Sequence, residues 1–135
     1  MIDYTIIWFE DNEEFYYSLN EEIEEYILDQ GFNPCILREE NGDNLDTLLS
    51  AHNVDLILMD ENLNPGEDGK TLGHDLIARI RETSYIEVLF YSGQDNLKTK
   101  TGGHLDGVYY ADKDSDLLDM TEKLIDLTLN KFQDI

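Results

Sequence analysis

The stretch LILMD, residues 56–60, constrains the fold of this chain more than any other part of its sequence. Four apolar residues run without alternation into a carboxylate, and the polar, turn-rich segment ENLNPGEDG follows. Such a run is typical of a strand buried on both faces, as in a parallel sheet. A carboxylate at its end is costly unless something uses it. Asp60 is therefore either a capping or solvated loop residue, or part of a ligand site at the carboxyl edge of a sheet.

Strand and helix patterns alternate along the rest of the chain. Strands are predicted over residues 4–9, 32–37, 55–60, 87–91 and 107–111, and helices over 12–30, 44–52, 71–82, 95–105 and 115–132. This alternation predicts a single α/β domain, residues 1–135, with a parallel sheet. Pro34 cannot donate a backbone hydrogen bond, so the second strand is expected at a sheet edge.

The charge balance is strongly acidic and narrows the classes of partner. Asp and Glu total 31 against 9 Lys and Arg, for a formal net charge of −22. Nucleic acids and anionic membranes are disfavoured, whereas cations and partners with basic faces are favoured. No apolar run is long enough for a membrane span, and the first residues carry no leader pattern. With Cys35 as the one cysteine, a reducing cytoplasm is the predicted location.

Polar side chains close four of the five predicted strands. They are Glu10 and Asp11 after the first strand, Asp60 at the end of the third, Ser92 after the fourth and Lys113 after the fifth. In a parallel sheet these positions share one edge, so the side chains are expected to converge. Clustered carboxylates raise one another's pKa unless a cation binds between them. Hard oxygen ligands suit Mg²⁺, so the sequence predicts a magnesium site.

Phosphoryl transfer uses this set of groups. It needs an acceptor oxygen, a metal and a fixed cation that holds the phosphoryl oxygens. An aspartate can accept the group and form an acyl phosphate, and Asp60 is the predicted nucleophile. Ser92 and Lys113 are predicted to bind phosphoryl oxygens. The predicted metal ligands are Asp11, Asp60, Glu10 either directly or through water, and the backbone carbonyl of Asn62.

The segments IIWFED, LILMDENLNPGEDG, VLFYSG and YYADK occur in the order found in the receiver domains of bacterial two-component response regulators. The sequence resembles that family over essentially its whole length. The resemblance implies a doubly wound, flavodoxin-like, five-stranded parallel sheet of order 2-1-3-4-5, which agrees with the edge position inferred from Pro34. It also implies Mg²⁺-dependent phosphorylation of Asp60 by a sensor histidine kinase or phosphotransfer protein. The function that the resemblance implies is that of a phosphoprotein switch that acts on a downstream effector protein, and not that of a turnover enzyme.

The resemblance also assigns a switch. Tyr110 matches the aromatic residue that reorients upon activation in relatives, and Ser92 replaces the commoner threonine. The implied output face comprises the predicted helix over 95–105, the fifth strand and the last helix. Two features depart from the family pattern. Asp68-Gly69 comes about one residue later than usual, and Asp114 follows Lys113 where the family often has proline.

Two alternative functions remain open at this point. One is a Mg²⁺-dependent phosphatase with an aspartate nucleophile, similar to haloacid-dehalogenase-like enzymes. Those enzymes usually carry a second aspartate two residues after the nucleophile, and here that position is Asn62. The other is a receiver-like interaction module that is not phosphorylated, which the intact set of site residues disfavours.

Overall fold

The computed structural model describes residues 1–63, 72–93 and 106–133, with side chains up to residue 130. The strands are β1 (Asp3–Phe9), β2 (Asn33–Glu39), β3 (Leu56–Asp60), β4 (Glu87–Ser92) and β5 (Val108–Asp112). The helices of these ranges are α1 (Glu13–Asp29), α2 (Leu45–Ala51), α3 (Gly73–Thr83) and α4 (Leu117–Gln133). Each of these strands and helices begins and ends within two residues of its predicted bounds. The helix predicted over 95–105 and the Asp68-Gly69 pair lie outside the described residues.

The five strands form one parallel sheet in the order β2-β1-β3-β4-β5. Both faces are covered, which explains why LILMD lacks alternation. Leu56 and Leu58 join the core beneath α1 and α4. Ile57 and Met59 join the core beneath α2 and α3. The doubly wound fold and the strand order predicted from the sequence are confirmed.

Helix α1 begins and ends where its sequence signals predict. The Asn12 side chain accepts a hydrogen bond from the backbone N–H of Phe15 and so caps the first turn. Gly31 follows the helix with a φ of 91°, a conformation that glycine adopts without strain. Ile23 and Ile27 are fully buried against the sheet. Because β1 ends at Phe9 and α1 already begins at Glu13, the start of α1 lies close to the carboxyl end of β1.

Strand β2 lies at a sheet edge, as Pro34 predicts. The Asn33 N–H donates to the Ile2 carbonyl, and the Glu39 carbonyl accepts from the Glu10 N–H. Alternate backbone groups of a strand point the same way, so Asn33 and Glu39 face β1 and Pro34 faces away from it. The carboxyl ends of all five strands lie at one edge of the sheet. None of the described helices is long and apolar enough to cross a membrane.

Candidate functional site

Three carboxylates meet at the carboxyl edge of the sheet. Glu10 and Asp11 directly follow β1, and Asp60 ends the neighbouring strand β3. One oxygen from each carboxylate lies within 4.8 Å of the others. Glu10 has no exposed surface, Asp60 is 3% exposed, and Asp11 is half-buried. The structure thus brings together the three side chains that the sequence predicted to bind a metal.

Lys113 supplies positive charge between the two buried carboxylates. Its Nζ lies 2.9 Å from Oδ2 of Asp60 and 3.2 Å from Oε1 of Glu10. The ammonium group also lies 4.6 Å from the ring centroid of Phe15 and 5.8 Å from that of Tyr91. Aromatic faces attract a cation at such distances. The lysine is therefore held in place from α1 and β4 as well as by its ion pairs.

Burial and mutual repulsion make this site unfavourable for negative charge. The pKa of Asp60 is raised to about 6, because burial and the charge of Glu10 together raise it more than Lys113 lowers it. Burial and the charge of Glu10 also raise the pKa of Asp11. Burial lowers the pKa of Lys113, but its hydrogen bonds and charge interactions with Asp60 and Glu10 outweigh burial and leave the pKa raised. One ammonium against three carboxylates leaves excess negative charge, and these oxygen donors fit Mg²⁺.

Glu10 is fixed by groups that sequence reasoning did not assign to the site. The Tyr91 hydroxyl lies 2.8 Å from Oε1 of Glu10, and the Asn12 N–H donates to Oε2 at 3.0 Å. The Trp8 indole N–H donates to the Tyr91 oxygen at 2.8 Å. The Arg38 guanidinium donates to the Glu10 carbonyl at 3.0 Å. In the sequence, Tyr91 and Trp8 look like ordinary core residues of their strands. The one signal that could have assigned Tyr91 to the site is that a buried tyrosine hydroxyl needs a hydrogen-bond partner.

The remaining predicted residues lie at or near the same edge. Asn62 donates its backbone N–H to Oδ1 of Asp60 at 3.3 Å. Ser92 is the last residue of β4 and is buried, and its carbonyl accepts from the Lys113 N–H at 3.2 Å. Tyr110 packs against Phe90 on the α2/α3 face, with ring centroids 6.2 Å apart. The predicted metal, phosphoryl and switch roles of these residues stay predictions.

A buried glutamate next to Asp60 ties β3 to the start of α3. Glu61 has no exposed surface, and its Oε1 lies 2.8 Å from Nδ1 of His74. The N–H of Gly73 donates to the Glu61 carbonyl at 2.7 Å. A Cβ on Gly73 would collide with the backbone carbonyl of Asp60, so this close approach requires glycine. These contacts fix the chain on both sides of the segment that follows Asp60.

Comparison with protein-family models and with curated proteins gives no match. Comparison with solved structures does find proteins with a similar fold. A response regulator receiver domain from Methylobacillus flagellatus superposes with a TM-score of 0.65 at 19% identity, covering 95% of this chain and 99% of its own. The signal receiver domain of a DNA-binding response regulator from Colwellia psychrerythraea gives 0.67 at 19% identity, covering 92% and 99%. Response regulator Rcp1 in its Mn²⁺-bound form gives 0.60 at 17% identity, covering 90% and 88%. At these identities the likeness shows the fold, which is that of receiver domains.

Proposed function

We propose that this chain is a receiver module that accepts a phosphoryl group on Asp60 in a Mg²⁺-dependent reaction. The observation that carries the proposal is the position of the Asp60 carboxylate. It is buried at the carboxyl edge of a receiver-type sheet, between an acidic pair and Lys113, which lies 2.9 Å away. The phosphoryl donor is a sensor histidine kinase or a phosphotransfer protein, as the resemblance implies. When bound, Mg²⁺ would supply positive charge to the phosphoryl oxygens.

Residues of this chain then have separate tasks. An Asp60 oxygen attacks phosphorus, the new O–P bond forms as the N–P bond to the donor histidine breaks, and the released imidazole nitrogen keeps the electron pair and takes up a proton. Lys113 favours the ionised, nucleophilic form of Asp60 and then pairs with a phosphoryl oxygen. Asp11 and Asp60 are the proposed metal ligands, with the Asn62 carbonyl and Glu10 in support. The buried site limits access of water to the acyl phosphate.

Ser92 and Tyr110 are the proposed switch. Ser92 lies on the strand beside Asp60, one residue beyond its register partner Tyr91. We propose that the Ser92 hydroxyl moves toward the phosphoryl group and that Tyr110 turns inward into the space it leaves. Phosphorylation thereby biases an existing equilibrium of the face formed by β5 and α4. The net charge of −22 favours an effector protein with a basic face over nucleic acid or membrane.

The test of the proposal is chemical labelling. Incubation with acetyl phosphate and Mg²⁺ is expected to add one phosphoryl group to the intact mass, and hydroxylamine is expected to remove it. Asp60→Asn should abolish the adduct. Asp55→Asn is the matched control, because Asp55 is a half-buried aspartate just before β3 that binds the Thr5 N–H at 2.8 Å, away from the site. Labelling of the Asp60→Asn protein at the wild-type level would contradict the assignment.

Other outcomes of the same experiment separate the remaining functions. Steady release of inorganic phosphate over many turnovers would indicate the phosphatase. Mg²⁺ binding without any adduct would indicate an interaction module that is not phosphorylated.

The switch is tested by amide exchange of residues 92–112. Exchange is compared at saturating Mg²⁺ with and without beryllofluoride, a phosphoryl mimic. We expect altered exchange in this stretch. Unchanged exchange with the mimic bound would contradict the switch.

A further inference from the structure

A continuous hydrogen-bond relay leads from the sheet core to the acidic site. The Trp8 indole N–H donates to the Tyr91 hydroxyl at 2.8 Å, and that hydroxyl lies 2.8 Å from Oε1 of Glu10. Trp8, Tyr91 and Glu10 all have no exposed surface. The relay joins two strands that are separated by β3 in the sheet, since Trp8 lies on β1, Tyr91 lies on β4, and Glu10 directly follows β1. Trp8 and Tyr91 have no part in the function proposed above.

The direction of the relay follows from the chemistry of its members. An indole N–H can only donate, so the Tyr91 oxygen accepts from Trp8 and its own proton is available for another acceptor. The Glu10 carboxylate is such an acceptor and lies within hydrogen-bond distance. The Tyr91 hydroxyl therefore donates its proton to Glu10.

The relay also fixes which way Glu10 faces. The Tyr91 hydroxyl and Lys113 both bind Oε1, whereas the Asn12 N–H and Lys113 bind Oε2. Both carboxylate oxygens are therefore engaged by the protein, and the carboxylate plane is set by donors from β4, the α1 cap and the β5 end. Charge-assisted hydrogen bonds of this kind are stronger than neutral ones. Lys113 in turn is oriented by the Glu10 that Tyr91 holds.

On the premise that this site binds Mg²⁺ as proposed above, we propose that Tyr91 is a positioning residue for it. Its hydroxyl holds the Glu10 carboxylate, and through Glu10 it sets both the placement of Lys113 and the affinity of the acidic cluster for the cation. Groups that orient ligands from behind the binding site typically change metal affinity by about 10–100-fold when they are removed. The relay also makes Trp8, the one tryptophan of the chain, a reporter of the site.

The test is Tyr91→Phe, which removes the hydroxyl and keeps the ring that faces Lys113. Tyr4→Phe is the matched control. Tyr4, like Tyr91, has no exposed surface and belongs to the same core. Its hydroxyl forms a hydrogen bond of 2.5 Å with Thr128, which is not a residue of the site. Mg²⁺ is titrated into each protein, and binding is followed by the melting temperature and by Trp8 fluorescence. Both variants lose a buried hydroxyl, so a loss of stability alone does not distinguish them.

In the wild-type protein, Mg²⁺ is expected to raise the melting temperature and to change the Trp8 emission over the same concentration range. Tyr91→Phe should bind Mg²⁺ about tenfold more weakly and lose the emission change. Tyr4→Phe should keep the wild-type affinity and emission change. Wild-type affinity together with the wild-type emission change in Tyr91→Phe would overturn the positioning role and leave the proposed function intact. Absence of Mg²⁺ binding by the wild-type protein would overturn both.

If Tyr91→Phe does not fold, Trp8→Phe replaces it. This variant keeps the Tyr91 hydroxyl but removes the donor that orients it, and binding is followed by the melting temperature alone. Weakened Mg²⁺ binding in Trp8→Phe would support the positioning role. Affinity equal to that of the wild-type protein would overturn it.

Discussion

The Tyr26 hydroxyl donates to Oδ1 of Asp126 over 2.6 Å and thereby joins α1 to α4, two helices far apart in sequence. This hydrogen bond, then burial, then the charge of Asp126 raise the pKa of Tyr26 to about 12 from 10.0. The folded state therefore holds the tyrosine proton more tightly than the unfolded state. The associated stabilisation is complete below pH 10 and is lost as the pH rises through 12.

We predict that Tyr26→Phe lowers the free energy of unfolding at neutral pH by about 0.5–1.5 kcal/mol, the usual net value of one hydrogen bond. The difference from the wild-type protein should shrink as the pH rises from 10.0 to about 12, because the tyrosine of the unfolded state ionises first and the folded-state tyrosine ionises near 12. Urea unfolding of both proteins at a series of pH values measures this difference in the free energy of unfolding. Tyr17→Phe is the control, since Tyr17 is 64% exposed on the same helix. A difference that stays constant through this range would contradict the prediction.

A second prediction concerns the histidine that contacts Glu61. His74→Ala removes the imidazole 2.8 Å from a carboxylate with no exposed surface. Weakening the hydrogen bonding of a buried carboxylate typically costs about 1–3 kcal/mol, so the melting temperature of the metal-free protein should fall. His52→Ala should leave it nearly unchanged, because His52 is exposed. Equal melting temperatures for the two variants would show that His74 does not support Glu61.

A third prediction concerns the metal. Because cation binding to the folded state stabilises it by mass action, Mg²⁺ should raise the melting temperature of the wild-type protein. Asp11→Asn should abolish most of that gain by removing one of the three clustered carboxylates. Asp43→Asn serves as the control, since Asp43 is an exposed aspartate outside this cluster. A gain in Asp11→Asn equal to that of the wild-type protein would place the metal elsewhere.

A fourth prediction separates the two effects of Lys113. Lys113→Ala should slow the labelling of Asp60 by acetyl phosphate, because a charge partner of the phosphoryl group is lost. The same change leaves Glu10 and Asp60 without their shared ammonium group and should lower the metal-free stability by about 1–3 kcal/mol. Mg²⁺ should then stabilise the variant more than the wild-type protein, since it replaces the missing positive charge.

Lys123→Ala is the control for this prediction, because Lys123 is exposed on α4. It should match the wild-type protein in labelling rate, metal-free stability and response to Mg²⁺. A smaller Mg²⁺ response in Lys113→Ala than in the wild-type protein would indicate that the lysine helps to assemble the metal site and does not compete with the cation.

The sequence was sufficient to predict the fold and the convergence of the charged groups, because both depend on local signals and on topology. The apolar runs predict strands, Pro34 predicts an edge, and a parallel sheet then places Asp60 and Lys113 at one edge whatever the detailed register. The structure brings these two side chains into contact, as the sequence predicted. No distances were needed for that prediction.

The supporting contacts were not predictable in the same way. The Tyr91 hydroxyl reaches Glu10 only because of the register between strands and the length of the side chain. The contact between His74 and Glu61 depends on how α3 begins. Neither position carries a local sequence signal that differs from that of an ordinary core or surface residue. The predicted roles of Asn62, Ser92 and Tyr110 depend on a bound metal or phosphoryl group and stay predictions.

The outward orientation of Pro34 on β2 has a consequence for self-association. An edge strand offers a row of N–H and C=O groups that can recruit a strand from another molecule. Pro34 has no N–H, and it faces away from β1, so the free side of β2 lacks one donor from this row. The edge is thereby a poorer template for intermolecular β-sheet growth.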